Sequence, residues 1–235
     1  MFSSKEIKGI LKVSDCELMH LRISKHLTAV KTGKSYFYDL PANKTVLDHP
    51  VGQKLLNWYK TTHQIDICNE PESPSSKIAL EKLVLEILLP IYRKYPKLNI
   101  TYGFTSAILK RHIAKHSPRG TAPNLDQHAS CELNNAQNAI CDRGGAACDF
   151  IVPDVSSSEL VRFIVEHLNY DRIYYYGNNR PLHVSNAETP NKHLQLMAES
   201  ENGRRYPIKK THGEAALLLA KELPLYVRIV VASFF

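Results

Sequence analysis

A chain of 235 residues, 43% of them apolar, is long enough to bury one large core or two smaller ones. It holds no apolar run of about 18 residues that would read as a membrane span, so no membrane partner is expected. The formal charge of +7 is concentrated in residues 1–64, where ten Lys/Arg face five Asp/Glu, and a basic module of this kind suits a polyanion partner. The opening Met1-Phe2-Ser3-Ser4-Lys5 lacks the basic-then-apolar order of a signal peptide, which implies a cytoplasmic start and free thiols for the five cysteines. Cys131 and Cys141 are the pair that would bridge in an oxidising setting.

Ile7, Ile10 and Leu11 at helical spacing predict a helix over 4–11, and Ser14 with Glu17 forms a capping box that opens a second helix to about Arg22. Residues 27–31 and 35–38, joined by Thr32-Gly33-Lys34, read as a β-hairpin. Two short helices and a basic hairpin make a winged helix-turn-helix. Residues 7–40 resemble the excisionase and MerR-type DNA-binding modules, where a Val-Ser turn precedes the second helix and a Gly-Lys-x-Tyr wing follows. The resemblance implies a second helix in the major groove, with Arg22, Lys25, Lys31 and Lys34 as nucleic-acid contacts. A small protein-binding appendage is the other reading.

Residues 51–63 form an amphipathic helix. The run Asn69-Glu70-Pro71-Glu72-Ser73-Pro74-Ser75-Ser76 has linker composition, which divides the chain into a module over 1–68, a linker over 69–76 and a larger domain over 77–235. That domain opens with a helix over 77–95, apolar on most faces and interrupted by Pro90. A strand over 98–101 and a basic-faced helix over 106–116 follow, then a loop over 117–127 that delivers His128. Residues 131–141 look like an inserted hairpin. Gly145 introduces a strand over 147–152, Ser156 caps a helix to His167, and residues 172–176 and 181–185 form a second hairpin around Gly177-Asn178-Asn179. A strand over 193–198, a basic segment over 204–210, a helix over 213–223 and a β-rich apolar end over 225–235 complete the chain.

The chemistry gathers at His128, Asp149 and His183. Strand alternation puts Asp149 opposite Cys148 and Phe150, and His183 opposite Leu182 and Val184, so a carboxylate and an imidazole lie on the polar sides of two strands. Two imidazoles and a carboxylate suit catalytic zinc, which is commonly held by three N/O ligands with a fourth position open. His112 and His116, one turn apart on a basic helix, belong instead to a solvated face.

His128, Gly145-x-Ala147-x-Asp149 and Leu182-His183-Val184-Ser185 resemble the zinc D-alanyl-D-alanine carboxypeptidases, the murein endopeptidases and phage endolysins, and the hedgehog amino-terminal domain. The resemblance spans roughly residues 97–198. It implies an α+β fold with an antiparallel sheet, zinc on His128, Asp149 and His183, and a peptide or peptide-like substrate. The chain departs from the pattern in three places. Asp126 replaces a Ser and about 14 extra residues separate His128 from Gly145; Gly103-Phe104-Thr105-Ser106 lacks the family's carboxylate-binding Arg; and Arg180-Pro181 stands where the family has its general base. Asp171 and Glu188 are therefore the groups expected to move the proton, with Asp126 and His193 further candidates. Arg119 and Arg143 are expected to replace the missing Arg, and Tyr174 and Tyr176 to wall the substrate site. The alternative is a nucleic-acid- or protein-binding factor that keeps its metal without hydrolysis, a reading that Arg180-Pro181 favours.

Overall fold

Two serines start the fold. In the computed structural model, which describes residues 1–116 and 126–232 with side chains through Leu223, Ser3 caps helix α1 (Ser4–Leu11) and Ser14 caps α2 (Asp15–Ile23). Glu6 and Glu17 reach back to complete both capping boxes. Strands β1 (Phe2–Ser3), β2 (Ala29–Thr32) and β3 (Ser35–Tyr38) form an antiparallel sheet in the order β1-β3-β2. Gly33, at φ +60, opens the two-residue turn between β2 and β3, a backbone state that an L side chain resists. Ile7, Ile10, Leu18, Leu27 and Tyr38 fill the core of this unit. Both helices and the hairpin stand where the spacing places them. The two-residue β1 is additional, being too short to show a period.

This unit covers Met1–Lys54 and the second covers Leu55–Phe235, so the boundary lies inside α3 (Pro50–His63) and not at residues 69–76. The expected linker is tied down by its polar side chains. The Asn69 amide donates to the carbonyls of Leu56 and Phe104 and accepts from the Ser106 N–H at 2.9 Å. Glu132 accepts the N–H groups of Glu72 and Ser73, both at 3.1 Å, and Pro74 becomes the first residue of a helix. Pro and Ser here mark a helix start, which composition alone does not separate from a flexible tether.

Helix α4 (Pro74–Leu83) passes through a π-turn at Val84–Leu88 into α5 (Leu89–Lys94). Pro90 explains the widening: it has no N–H, and its ring would press on the carbonyl one turn back in a regular helix. Leu80, Leu83, Val84, Ile87, Leu88 and Ile91 are buried, whereas Ile78 and Leu85 are exposed, so the run is amphipathic and not apolar all round.

Six strands form the second sheet: β4 (Asn99–Tyr102), β5 (Ala147–Ile151), β6 (Arg172–Tyr175), β7 (Leu182–Ser185), β8 (His193–Glu199) and β9 (Arg205–His212). Their order is β4-β5-β7-β6-β8-β9, and every pair is antiparallel except β6 with β8, so the sheet is mixed and not purely antiparallel. Cys148, Phe150, Ile173, Tyr175, Leu182, Val184, Leu194 and Leu196 alternate onto one apolar face and are buried. Helices α7 (Ser157–His167), capped by Ser156, and α8 (Gly213–Ala232) pack against each other and bury Leu160, Val161, Ile164, Ala216, Leu219 and Leu223. The opposite face carries the polar residues, with α6 (Ala107–His116) following β4 in the chain.

Two expectations for the carboxyl-terminal part fail. The basic segment 204–210 is strand β9, whose Pro207 sits at a register shift on the sheet edge, where a missing N–H is tolerated. Residues 225–232, expected to be extended, continue α8 instead, so β-branched composition yields to a helix already under way. Among the described residues no helix is long and apolar enough to cross a membrane.

Candidate metal centre

Asp149 and His183 face each other because β5 and β7 pair in a register that makes them direct partners; Tyr174 of β6 is the partner of His183 on its other side. His183 Nδ1 lies 2.8 Å from Asp149 Oδ1. His128 arrives from a different part of the chain, on a 3-10 turn (Gln127–Ala129), with its Nε2 3.4 Å from the same oxygen.

Backbone hydrogen bonds deliver His128. The Asp126 carboxylate accepts the His128 N–H at 2.9 Å, and the His128 carbonyl accepts from Thr105 N–H at 2.9 Å. Gln127 donates to the Gly144 carbonyl, and the Ser130 hydroxyl donates to that of Gly145 at 2.8 Å, tying this turn to the start of β5. Asn186, just past β7, holds the same junction: its side chain accepts the Ala146 N–H at 2.7 Å and donates to the Ala79 carbonyl, and its backbone N–H donates to the Ala146 carbonyl. Gly145 must be glycine there. Its φ is +75, and a Cβ would stand 2.0 Å from the Asn186 carbonyl oxygen.

The three side chains form a group of ligand atoms all within 4.8 Å of one another, the only such His/Cys/Asp/Glu group of three among the described residues. A tetrahedral site with bonds of about 2.0–2.1 Å has edges of about 3.4 Å, so the His128–Asp149 separation is already that of two ligands on one ion. The 2.8 Å His183–Asp149 contact is a hydrogen bond that opens slightly when an ion replaces the shared proton. The residues can hold a metal ion.

Burial by itself would lower the His128 pKa, but the Asp149 charge and hydrogen bond outweigh it and raise the value, with Asp126 adding in the same direction. Burial pushes Asp149 upward, and the two imidazoles overcome it, holding the carboxyl well below its ordinary value. Tyr102 meets the His128 ring edge-on at 4.5 Å, and Tyr174 stacks nearly parallel on His183 at 4.7 Å, so each imidazole is held by an aromatic ring.

The triad opens into a cleft of about 340 Å³ walled by Tyr174, Tyr176, Asp126 and the two arginines Arg180 and Arg205. Glu199 pairs with both guanidinium groups, at 3.2 Å and 3.6 Å, and Arg205 lies over the Tyr176 ring. Burial pushes the Tyr176 phenol up to about 12, with Asp149 adding to it and Arg205 opposing. Tyr102 is raised further, chiefly by burial. Both phenols are neutral near pH 7.

The structure brings together the three expected ligands and both expected tyrosines. Asp171 and Glu188 are not among the cleft residues. Asp171 is fully buried, accepts from the Asn191 N–H at 2.8 Å and lies beside Arg172, while Glu188 is on an exposed turn. Arg143 points to Asp171, at 4.0 Å, and not into the cleft; Arg119 lies outside the described residues. Tyr102 and Arg205 are cleft residues that the sequence reading passed over. Strand alternation ending at Tyr102 was an available signal for the first. Arg205 had none, because its position follows from the docking of β9 on β8.

A second imidazole pair stands on the same face. His193 Nδ1 lies 3.3 Å from His212 Nε2, and His193 Nε2 lies 3.2 Å from Gln195 Oε1. In the first unit, Arg22 packs its guanidinium 3.6 Å over the Tyr36 ring, Lys25, Lys31 and Lys34 are exposed, and Met19, Ile23 and Val30 are exposed apolar neighbours in sequence.

Comparison of the chain with family models, curated proteins and solved structures returns no match.

Proposed function

We propose that residues 55–235 form a zinc-dependent hydrolase of peptide or amide bonds, with His128, Asp149 and His183 as the ligands. The observation that carries this reading is the convergence of the three ligand atoms at the floor of an open cleft. The N₂O donor set suits zinc and leaves a coordination position toward the cleft. Zinc bound there supplies a Lewis acid that polarises a carbonyl and acidifies water.

The remaining chemistry falls to the chain. Asp126 is the carboxylate of the cleft that is not a ligand; one of its oxygens holds the His128 N–H, and the other is assigned to take a proton from attacking water and return it to the leaving amine. This role passes to Asp126 from Asp171 and Glu188, which lie outside the cleft. Tyr102 and Tyr176, neutral phenols, donate hydrogen bonds to a developing oxyanion. Tyr174 fixes the plane of His183.

A second reading, a metal-bearing binding factor without turnover, is favoured by Arg180 and Pro181, which occupy the cleft where the resembled peptidases carry their base. Metal analysis of purified protein tests what the readings share: about one zinc per chain is expected, and less than a tenth removes the site. Turnover of peptide libraries separates them, since His128→Ala must abolish a hydrolysis that the native protein shows. For Met1–Lys54 we propose binding to DNA or to an acidic protein through Lys25, Lys31, Lys34 and Arg22. Mobility shift on duplex DNA at low salt tests the first, and no shift would leave the protein partner. A cytoplasmic location is proposed with it.

A further inference from the structure

We propose that Cys131 and Cys141 form a reversible disulfide site, which closes the hairpin carried between His128 and Gly145. Both are free thiols in this structure and both are half-buried, whereas Cys148 is buried and Cys16 and Cys68 are exposed.

The hairpin's own hydrogen bonds set the pairing. Leu133 bridges Ala139, the Asn134 N–H donates to the Asn138 carbonyl at 2.9 Å, and the Ile140 N–H donates to the Glu132 carbonyl at 3.1 Å. These bonds fall on alternate pairs. One step outward, Cys131 opposes Cys141 at a non-hydrogen-bonded position, where Cα atoms of an antiparallel pair lie about 4.5 Å apart. Disulfides span Cα separations of about 4.4–6.8 Å. Gly144 supplies an independent fix. The Cys131 sulfur lies 3.8 Å from where a Cβ on Gly144 would stand. The Gly144 N–H reaches the Cys141 carbonyl at 3.2 Å and also hydrogen-bonds the Cys141 thiolate. The two sulfurs therefore flank one glycine.

A low-molecular-weight disulfide is the oxidant. One cysteine thiolate attacks it, breaking its S–S bond and releasing one thiol. The second cysteine then displaces the other half from the mixed disulfide, so the pair gives up two protons and two electrons and the oxidant leaves as two thiols. Burial, and after it Asp126, push the Cys141 thiol up, so closure runs faster as pH rises. The base of the hairpin is already anchored: the Cys131 N–H donates to the Ser76 hydroxyl at 3.1 Å, and Glu132 caps α4. Closure adds a covalent ring to that base and stiffens the connection between the first and second ligand segments, with or without an ion bound.

The test uses the full chain, treated with oxidised glutathione at mildly alkaline pH and then alkylated. Alkylatable thiols should fall from five to three, a non-reducing digest should yield a peptide joining Cys131 to Cys141, and a dithiol reductant should restore all five. Amide exchange across 132–140 should slow about tenfold on oxidation. In Cys131→Ser and in Cys141→Ser, every remaining thiol should stay alkylatable or carry glutathione, with no internal link. Five alkylatable thiols after oxidation of the native chain would overturn the proposal. So would separate glutathione adducts on the two cysteines, or a link from either of them to Cys16, Cys68 or Cys148.

Discussion

Two imidazole pairs stand on one face of one sheet, and their neighbours prepare them for opposite charges. His128 and His183 close around Asp149, whose charge raises the His128 pKa. His193 and His212 approach as closely, at 3.3 Å, but their surroundings are Gln195, Arg172 and Lys210; burial first and then these cations lower the His193 pKa. Tyr174 separates them, stacked on His183 and edge-on to His193. Imidazole spacing is the same in both clusters, so it is the central carboxylate that turns one of them into a cation site.

The largest expected effect removes that carboxylate. Asp149→Ala should weaken zinc binding by about 100-fold or more, ~2.7 kcal/mol, in calorimetric titration. His193→Ala and His212→Ala should leave affinity within about twofold; an equal loss in either would erase the distinction between the clusters. Gly145→Ala comes next. With φ +75 and a Cβ 2.0 Å from the Asn186 oxygen, it should cost about 2–4 kcal/mol in denaturant unfolding and carry the metal site with it. Gly33→Ala, also at positive φ but with nothing near its Cβ, should cost only about 1 kcal/mol.

Opposite pKa shifts give opposite pH slopes of about 1 kcal/mol each, readable in thermal melts of metal-free protein. The raised His128 contributes stability that is present below the unfolded value near 6.5 and is lost as pH rises through its folded pKa. The lowered His193 contributes stability present above about 6.5 and lost as pH falls, so His193→Gln should remove that slope alone. Asp149 adds stability present above its unfolded pKa, lost as pH falls toward its depressed folded value. Zinc competes with the His128 proton, so affinity should rise with pH while the His128 share of metal-free stability falls. The smallest effect lies far from both clusters: Lys97→Ala breaks a 3.1 Å pair with Asp154 whose side chains are 72% and 81% exposed, and stability should move by no more than ~0.5 kcal/mol.

The ligand strands were legible in the sequence because alternation and turn chemistry are local. Gly145 before Ala147-Cys148-Asp149, and Gly177-Asn178-Asn179 between two β-rich runs, specify strands and the faces of Asp149 and His183 without tertiary knowledge. Asn186 was not legible, since a polar residue after a strand reads as loop, and its role appears only when Ala79 and Ala146 arrive beside it. The same holds for β9 and Arg205, whose basic sequence carries no alternation, and for residues 69–76, where Asn69 is fixed by carbonyls from distant parts of the chain.

The swap of β6 and β7 in the sheet order bears on biosynthesis. β5 is made with β4 beside it on one edge, but its other edge is meant for β7, which emerges from the ribosome only after α7 and β6 are complete. Until Leu182–Ser185 appear, the backbone of Ala147–Ile151, with Cys148 and Phe150 on it, offers an open and largely apolar template. Nascent chains stalled between residues 152 and 181 should therefore recruit chaperones or aggregate, and release of that hazard should coincide with synthesis of the strand that carries His183.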